Sequence, residues 1–260
     1  MYLFVDNLTD NAKALNSDLE NLNKWASDWL VKFCPSKTKS MIITKKKKKN
    51  IYPPLEMDGV LLTNVNSHKH LGVTLANNLS WNEHIEACAI KAGKCLDILN
   101  ALKYKLDRKT LETLYFSFIR SQLEYASIVW DNCSQQLSDL LESVQYRAAK
   151  IVSGAICRTS HDIVNQELNW TSLKERRKNQ RLRVFYKSCT GNSPIYMQTL
   201  MAENTRERER YNLRGDRRFI PPKARTSTFQ NSFVPQTVRD WNNLDIEHRR
   251  LFQLKLLHQN

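Results

Sequence analysis

Ile85-Glu86-Ala87-Cys88-Ala89-Ile90-Lys91-Ala92-Gly93-Lys94-Cys95-Leu96-Asp97-Ile98-Leu99 is the stretch on which the fold turns. Ile85, Ala89, Ala92, Leu96 and Leu99 recur at alternating gaps of four and three, the spacing that lines side chains along one face of an α-helix. Leu111, Leu114, Tyr115, Phe118, Ile119, Leu123 and Ala126 form a second such stripe. Leu137, Leu140, Leu141, Val144, Ala148, Ile151 and Val152 form a third. One amphipathic helix cannot cover its own apolar face, but three joined by short polar loops cover one another. A helical bundle over residues 76–156 is therefore expected. Cys88 and Cys95, on the first of these helices, read as core fillers.

Upstream, Leu15, Leu19, Leu22, Trp25 and Trp29 predict one helix over residues 10–32, with Asp10 as N-cap and Pro35 ending the pattern. Met41-Ile42-Ile43 reads as a short strand. Lys45 to Lys49 is an uninterrupted basic run, either a solvated hairpin tip or a phosphate contact. Leu55 to Val60 alternates and turns at Asp58-Gly59, a hairpin signal, and Val65 and Leu71 to Leu75 offer further strands. Downstream of Gly154, residues 168–186 predict a helix with a dense basic face. Gly191-Asn192-Ser193-Pro194 is a turn. Residues 206–225 are basic with little apolar periodicity and read as irregular. A final helix holds Val238, Trp241 and Leu244. The expected fold class is α+β, mostly α. A small antiparallel sheet with its helix occupies 1–75, the bundle 76–156, and a basic, partly irregular region 157–260.

The composition bounds the function. Lys and Arg number 40 against 26 Asp and Glu, a net charge of +14, which favours a polyanionic partner. Only +4 of it falls in residues 1–131, so the second half carries most of the electrostatic footprint. Six glycines exclude Gly-rich phosphate loops and solenoids. No apolar run approaches a membrane span and no secretory signal is present, so an intracellular setting, cytoplasm or nucleus, without a membrane partner is expected. Six widely spaced cysteines without a C-x-x-C pair read as free thiols. Zinc on Cys133, Cys157 and His161 would need a fourth ligand that the spacing does not offer.

Several blocks occur in a telling order. Trp25-Ala26-Ser27-Asp28-Trp29 precedes Phe33-Cys34-Pro35-Ser36-Lys37-Thr38, and His68-Lys69-His70-Leu71-Gly72-Val73 follows. Then come Leu79-Ser80-Trp81-Asn82-Glu83-His84-Ile85 and Arg120-Ser121-Gln122-Leu123-Glu124-Tyr125-Ala126-Ser127-Ile128-Val129-Trp130. Tyr211-Asn212-Leu213-Arg214 and Ser232-Phe233-Val234-Pro235 with Trp241-Asn242 lie near the end. Together they resemble the downstream half of reverse transcriptases (RNA-directed DNA polymerases) of jockey-like, LINE-type non-LTR retrotransposons. The first block resembles motif D, W-x-x-x-W…F-N-x-x-K-T, and the second the K-Y-L-G-V block near the primer grip. The next two resemble thumb helices.

The resemblance implies a palm remnant over 1–75, a thumb-like domain over 76–156 and a basic C-terminal region, with RNA and DNA as partners. Two departures matter. Cys34 stands where the family usually has Asn, and the Y/F-A-D-D box is absent, Phe4-Val5-Asp6-Asn7 imitating it only superficially. Nucleotidyl transfer of this kind needs two divalent ions held by converging carboxylates. The Mg²⁺ of the complete enzyme therefore has no expected site here, and the expectation is a C-terminal portion that binds nucleic acid without polymerising. Lys37 matches the motif D lysine, which in such polymerases can protonate departing pyrophosphate. A stem lying over the sheet is its structural alternative. Competing readings are a freestanding basic helical nucleic-acid-binding module and an inert product of a decayed element. Oligomeric state is not legible.

The candidate nucleic-acid contacts are Lys69, Lys174, Arg176, Arg177, Arg181, Arg183, Arg214 and Arg225. Trp170, Phe185, Tyr186, Tyr211 and Phe219 interleave with the downstream cations. They could stack on unpaired bases, or they could face a core while the cations form a solvated face.

Overall fold

The computed structural model describes residues 8–44, 53–156, 158–204, 206–207, 219–245 and 247. The chain divides into two compact units, residues 1–84 and 85–260, the division falling in the first turn of α2 (Asn82–Leu102). The described residues are mostly helical, with strands only in pairs.

In the first unit, α1 (Leu8–Asp28) packs on the hairpin made by residues 56–61. The Asn16 side chain clamps the two together: its Oδ1 accepts from Glu56 N–H at 3.1 Å and its Nδ2 donates to Pro54 C=O at 3.4 Å. Strand β1 (Lys39–Ser40) pairs with β4 (Thr63–Asn64), and β2 (Glu56–Met57) with β3 (Val60–Leu61). The β2–β3 turn is the expected Asp58-Gly59, both residues at positive φ as such two-residue hairpins require. β5 (Ser67–His70) pairs antiparallel with β6 (Val73–Ala76) across a Leu71-Gly72 turn.

Three expectations are corrected here. The β1–β4 pair is parallel, so the sheet structure is not uniformly antiparallel. Met41-Ile42-Ile43 is not a strand, the paired residues being Lys39–Ser40 just before it. The α1 stripe is open: Trp25 is 50% and Trp29 68% exposed, Leu22 is exposed as well, and the buried residues are Ala12 and Ala26. The helix turned its small residues inward because only short hairpins lie against it.

The second unit is denser. All five residues of the α2 stripe are buried. The second stripe runs through α3 (Arg108–Leu114), a π-helical segment (Tyr115–Arg120) and α4 (Ser121–Glu124). Leu111, Tyr115, Ile119 and Leu123 are its buried members, each four residues from the last. In an α-helix of 3.6 residues per turn that spacing drifts off one face. The wider i→i+5 turn keeps it in line and leaves Phe118, expected in the core, exposed. Ala126, at φ 50°, breaks the helix before α5 (Ser127–Trp130). α6 (Gln135–Ser153) is capped by Ser134 and ended by Gly154 in the left-handed conformation.

Packing then continues across residue 156. α7 (His161–Leu168) and α8 (Leu173–Cys189) both lie against α6, each starting on a serine cap, Ser160 and Ser172. α9 (Ile195–Asn204), β7 (Arg206–Glu207), β8 (Phe219–Ile220), α10 (Ser227–Gln230) and α11 (Phe233–Asn243) complete the unit. Leu182, Phe185, Met201, Phe219, Val234, Val238 and Trp241 form one core there. The downstream region is thus largely helical and packed where it is described.

Candidate nucleic-acid interface

Helix α8 carries Lys174, Arg176, Arg177, Lys178, Arg181, Arg183 and Lys187. Helical geometry splits them. Residues 177, 181 and 188 lie on the face that also holds Leu182 and Phe185, and that face is buried. Arg177 is 2% exposed. Its Nε donates to Asp131 Oδ1 at 3.0 Å and its Nη2 to Ser138 Oγ at 2.7 Å, and its guanidinium lies 5.6 Å from the Trp130 ring centre. Arg181 is 4% exposed and bridges Asp131 to Asp240 of α11. Burial pulls the pKa of both guanidinium groups down, and the Asp240 carboxylate opposes that shift at Arg181. A buried cation is tolerated only when paired and hydrogen-bonded, and Asp131 serves two at once. Arg177 and Arg181, expected on a nucleic-acid surface, therefore hold the second unit together.

Arg176 is intermediate. It forms a two-pronged pair with Glu124, Nη2 to Oε2 at 2.9 Å, and the hydrogen bond to that carboxylate raises its pKa. Arg120 lies 3.9 Å from the same carboxylate. Two cations thus share one anion at the edge of an open surface. Arg183 and Lys187 are exposed on that outer side of α8, with no ion-pair partner among the described residues. Lys174 is exposed, its Nζ 3.1 Å from Gln135 Oε1.

The remaining candidates are scattered. Lys69 is exposed on β5, near the buried His84, whose pKa is lowered by burial first and by Lys69 second. Lys37 is exposed in the turn after Cys34, its N–H donating to Cys34 C=O at 3.1 Å. Arg225 is exposed ahead of α10. Arg214 and Tyr211 lie outside the described residues, as do the lysines 45–49 and Cys157.

The aromatics take the core-facing alternative. Trp170 stacks on Tyr115 at 4.1 Å, its Nε1 donating to Glu112 at 2.7 Å. Phe185 and Phe219 are buried, and Tyr186 stacks on Trp241 at 5.6 Å. These four rings are each packed against other aromatic side chains. Sequence reasoning missed Glu124, Asp131 and Asp240, the anions that claim the arginines. The one local signal was that residues 177, 181 and 185 share a helix face with Phe185 at its end.

Among the described residues no group of three or more His, Cys, Asp or Glu could hold a metal ion, so no described site fits a Mg²⁺ pair. No helix among them is long and apolar enough to cross a membrane.

Two curated proteins align with the chain, both from Drosophila melanogaster. The probable RNA-directed DNA polymerase from transposon BS is 24% identical over 170 residues, 63% of this chain and 18% of that protein. The one from transposon X-element is 22% identical over 149 residues, 56% of this chain and 16% of its own length. The chain is reverse-transcriptase-like. This reverse-transcriptase-like chain spans less than a fifth of the length of either relative. No family model and no solved structure matches it.

Proposed function

We propose that this chain is the C-terminal portion of a jockey-like retrotransposon RNA-directed DNA polymerase, binding RNA and DNA through exposed cations without polymerising by itself. The alignment with two transposon polymerases is the observation that carries the reading. On it, residues 1–75 correspond to a palm remnant, 76–156 to a thumb-like bundle and 157–260 to a basic C-terminal region. The setting is intracellular, cytoplasm or nucleus. Lys37 keeps the motif D position, but with no metal-holding group of carboxylates among the described residues its role is structural.

Binding rests on phosphate attraction by Arg183, Lys187, Lys174, Arg225, Lys69 and the solvent-facing part of Arg176. Such attraction carries no base information. It weakens linearly in log Kd against log salt, by about 0.7 per phosphate contact on single strands. Fluorescence anisotropy with a single-stranded RNA over a salt series tests this, with affinity that rises along a straight log–log line as salt is lowered as the expected result. Absence of binding at low salt overturns it. Primer extension on a primed poly-rA template with dTTP and Mg²⁺ or Mn²⁺ is expected to give no product. Extension abolished by Asp6→Ala would overturn the non-polymerising part.

A further inference from the structure

Helix α2 is apolar on two sides. Opposite its buried stripe, Ile90, Lys94, Ile98 and Ala101 line an outer face, and Ile90 and Ile98 are each 64% exposed. That face runs into the turn Lys103-Tyr104-Lys105, which is fixed by the N–H groups of Lys105 and Leu106 donating to Leu102 C=O at 2.9 and 3.1 Å. Tyr104 sits in the middle of this turn, 89% exposed, with Lys103 Nζ 4.6 Å from its ring centre.

The charge around it is one-sided. Residues 87–109 hold Lys91, Lys94, Lys103, Lys105, Arg108 and Lys109 against Asp97 and Asp107. Both carboxylates are engaged. Asp97 lies 4.0 Å from Arg147, and Asp107 caps α3, accepting from the Thr110 hydroxyl and from Thr110 N–H, which in that order hold its carboxyl below the usual range. Arg108 pairs with Glu167 at 2.9 Å. The five lysines have no ion-pair partner among the described residues.

We infer that the Lys103–Lys105 turn and the outer face of α2 form a contact site for an unpaired stretch of nucleic acid. Tyr104 stacks on a base, and Lys94, Lys103, Lys105 and Lys109 hold the flanking phosphates. The inference rests on the nucleic-acid-binding reading above and assigns it a place. Single strands are favoured because a protruding ring needs an open base face, which a duplex covers by its own stacking; aromatic platforms within cationic tracks are how sequence-tolerant single-strand binding is built. A second copy of the chain is disfavoured because it would bring this same positive face against itself.

The test is anisotropy of the full 260-residue chain with a fluorescent single-stranded RNA, for wild type, Tyr104→Ala, Tyr104→Phe and Lys103→Gln/Lys105→Gln. Tyr104 is exposed enough for its truncation to leave the core intact, and unchanged circular dichroism and melting check this. Tyr104→Ala is expected to weaken binding about ten-fold at every salt concentration with the salt slope unchanged. Tyr104→Phe keeps wild-type affinity. The lysine pair instead makes the slope shallower by about 1.4. An abasic strand is expected to bind wild type and Tyr104→Ala alike. If wild type binds RNA but Tyr104→Ala binds equally well, this site is overturned and the general reading stands. If wild type does not bind, the general reading falls and the site with it. Competition by polyglutamate or by duplex as strong as that by single strand would mean a generic polyanion or duplex surface and overturn the stacking role.

Discussion

Helix α8 and the α2–α3 connection invert one another. α8 has the denser basic run in sequence, yet its two most central arginines are sealed against Asp131 and Asp240 and a third is shared with Glu124. The α2–α3 connection looks ordinary in a half-chain average, yet it sets Lys103 and Lys105 on either side of an open tyrosine, with no ion-pair partner for either among the described residues. Charge density along a chain is therefore not charge on a surface. What separates the two regions is whether acidic side chains from distant elements fold onto the cations, and arginine, with its planar fork, accepts such burial more readily than lysine.

The comparison breaks first at Arg181. Arg181→Met removes the buried cation that joins Asp131 to Asp240, and removal of one member of such a network costs about 3–5 kcal/mol. Urea unfolding followed by near-ultraviolet circular dichroism of the tryptophans should show that loss in the second unit. A change below about 1 kcal/mol would mean the arginine is not a structural cation.

A sharper contrast comes from Arg183→Gln/Lys187→Gln. These exposed changes should leave stability within about 0.5 kcal/mol while making the RNA salt slope shallower by about 1.4. Lost stability with an unchanged slope would assign the outer side of α8 to packing as well.

His84 gives a pH test in the first unit. Its folded pKa lies below the ordinary 6.5 because burial, then Lys69, disfavours the imidazolium. The unfolded chain therefore takes up a proton that the folded unit resists. Stability is expected to be flat above about pH 6.5 and to fall as pH drops below it, levelling once the folded imidazole also titrates. His84→Gln should flatten that stretch, and an unaltered profile would place the titration elsewhere.

The smallest effect belongs to Arg176 and Glu124. They are partly exposed, so Glu124→Gln should cost about 0.2–1 kcal/mol, well short of the Arg181 effect in the same denaturation series.

Much of the architecture was legible. The α2 stripe, the α6 stripe apart from the exposed Leu140, the Asp58-Gly59 hairpin and Val238 and Trp241 of α11 follow from periodicity and turn chemistry alone. Four things were not. The α1 stripe of Leu22, Trp25 and Trp29 has the right period for a core, but period does not tell whether anything covers the face. The π-helical segment disguised its stripe, because Phe118 fits an α-helical face and only the wider turn carries it outward. The arginine partners lie 46 to 59 residues away in sequence, so no local window could pair them. The Tyr104 turn was hidden for the opposite reason: its lysines were averaged with acidic residues that turn out to cap a helix or pair with Arg147.

Residue-resolved chemical footprinting of arginine and lysine side chains, with and without single-stranded RNA and read by mass spectrometry, tests the division between buried and displayed cations directly. Arg177 and Arg181 should resist modification in both states, while Arg183, Lys187, Lys103 and Lys105 should react in the free protein and be protected by RNA. Modification of Arg177 or Arg181 in the free protein, followed by their protection in the complex, would contradict the account.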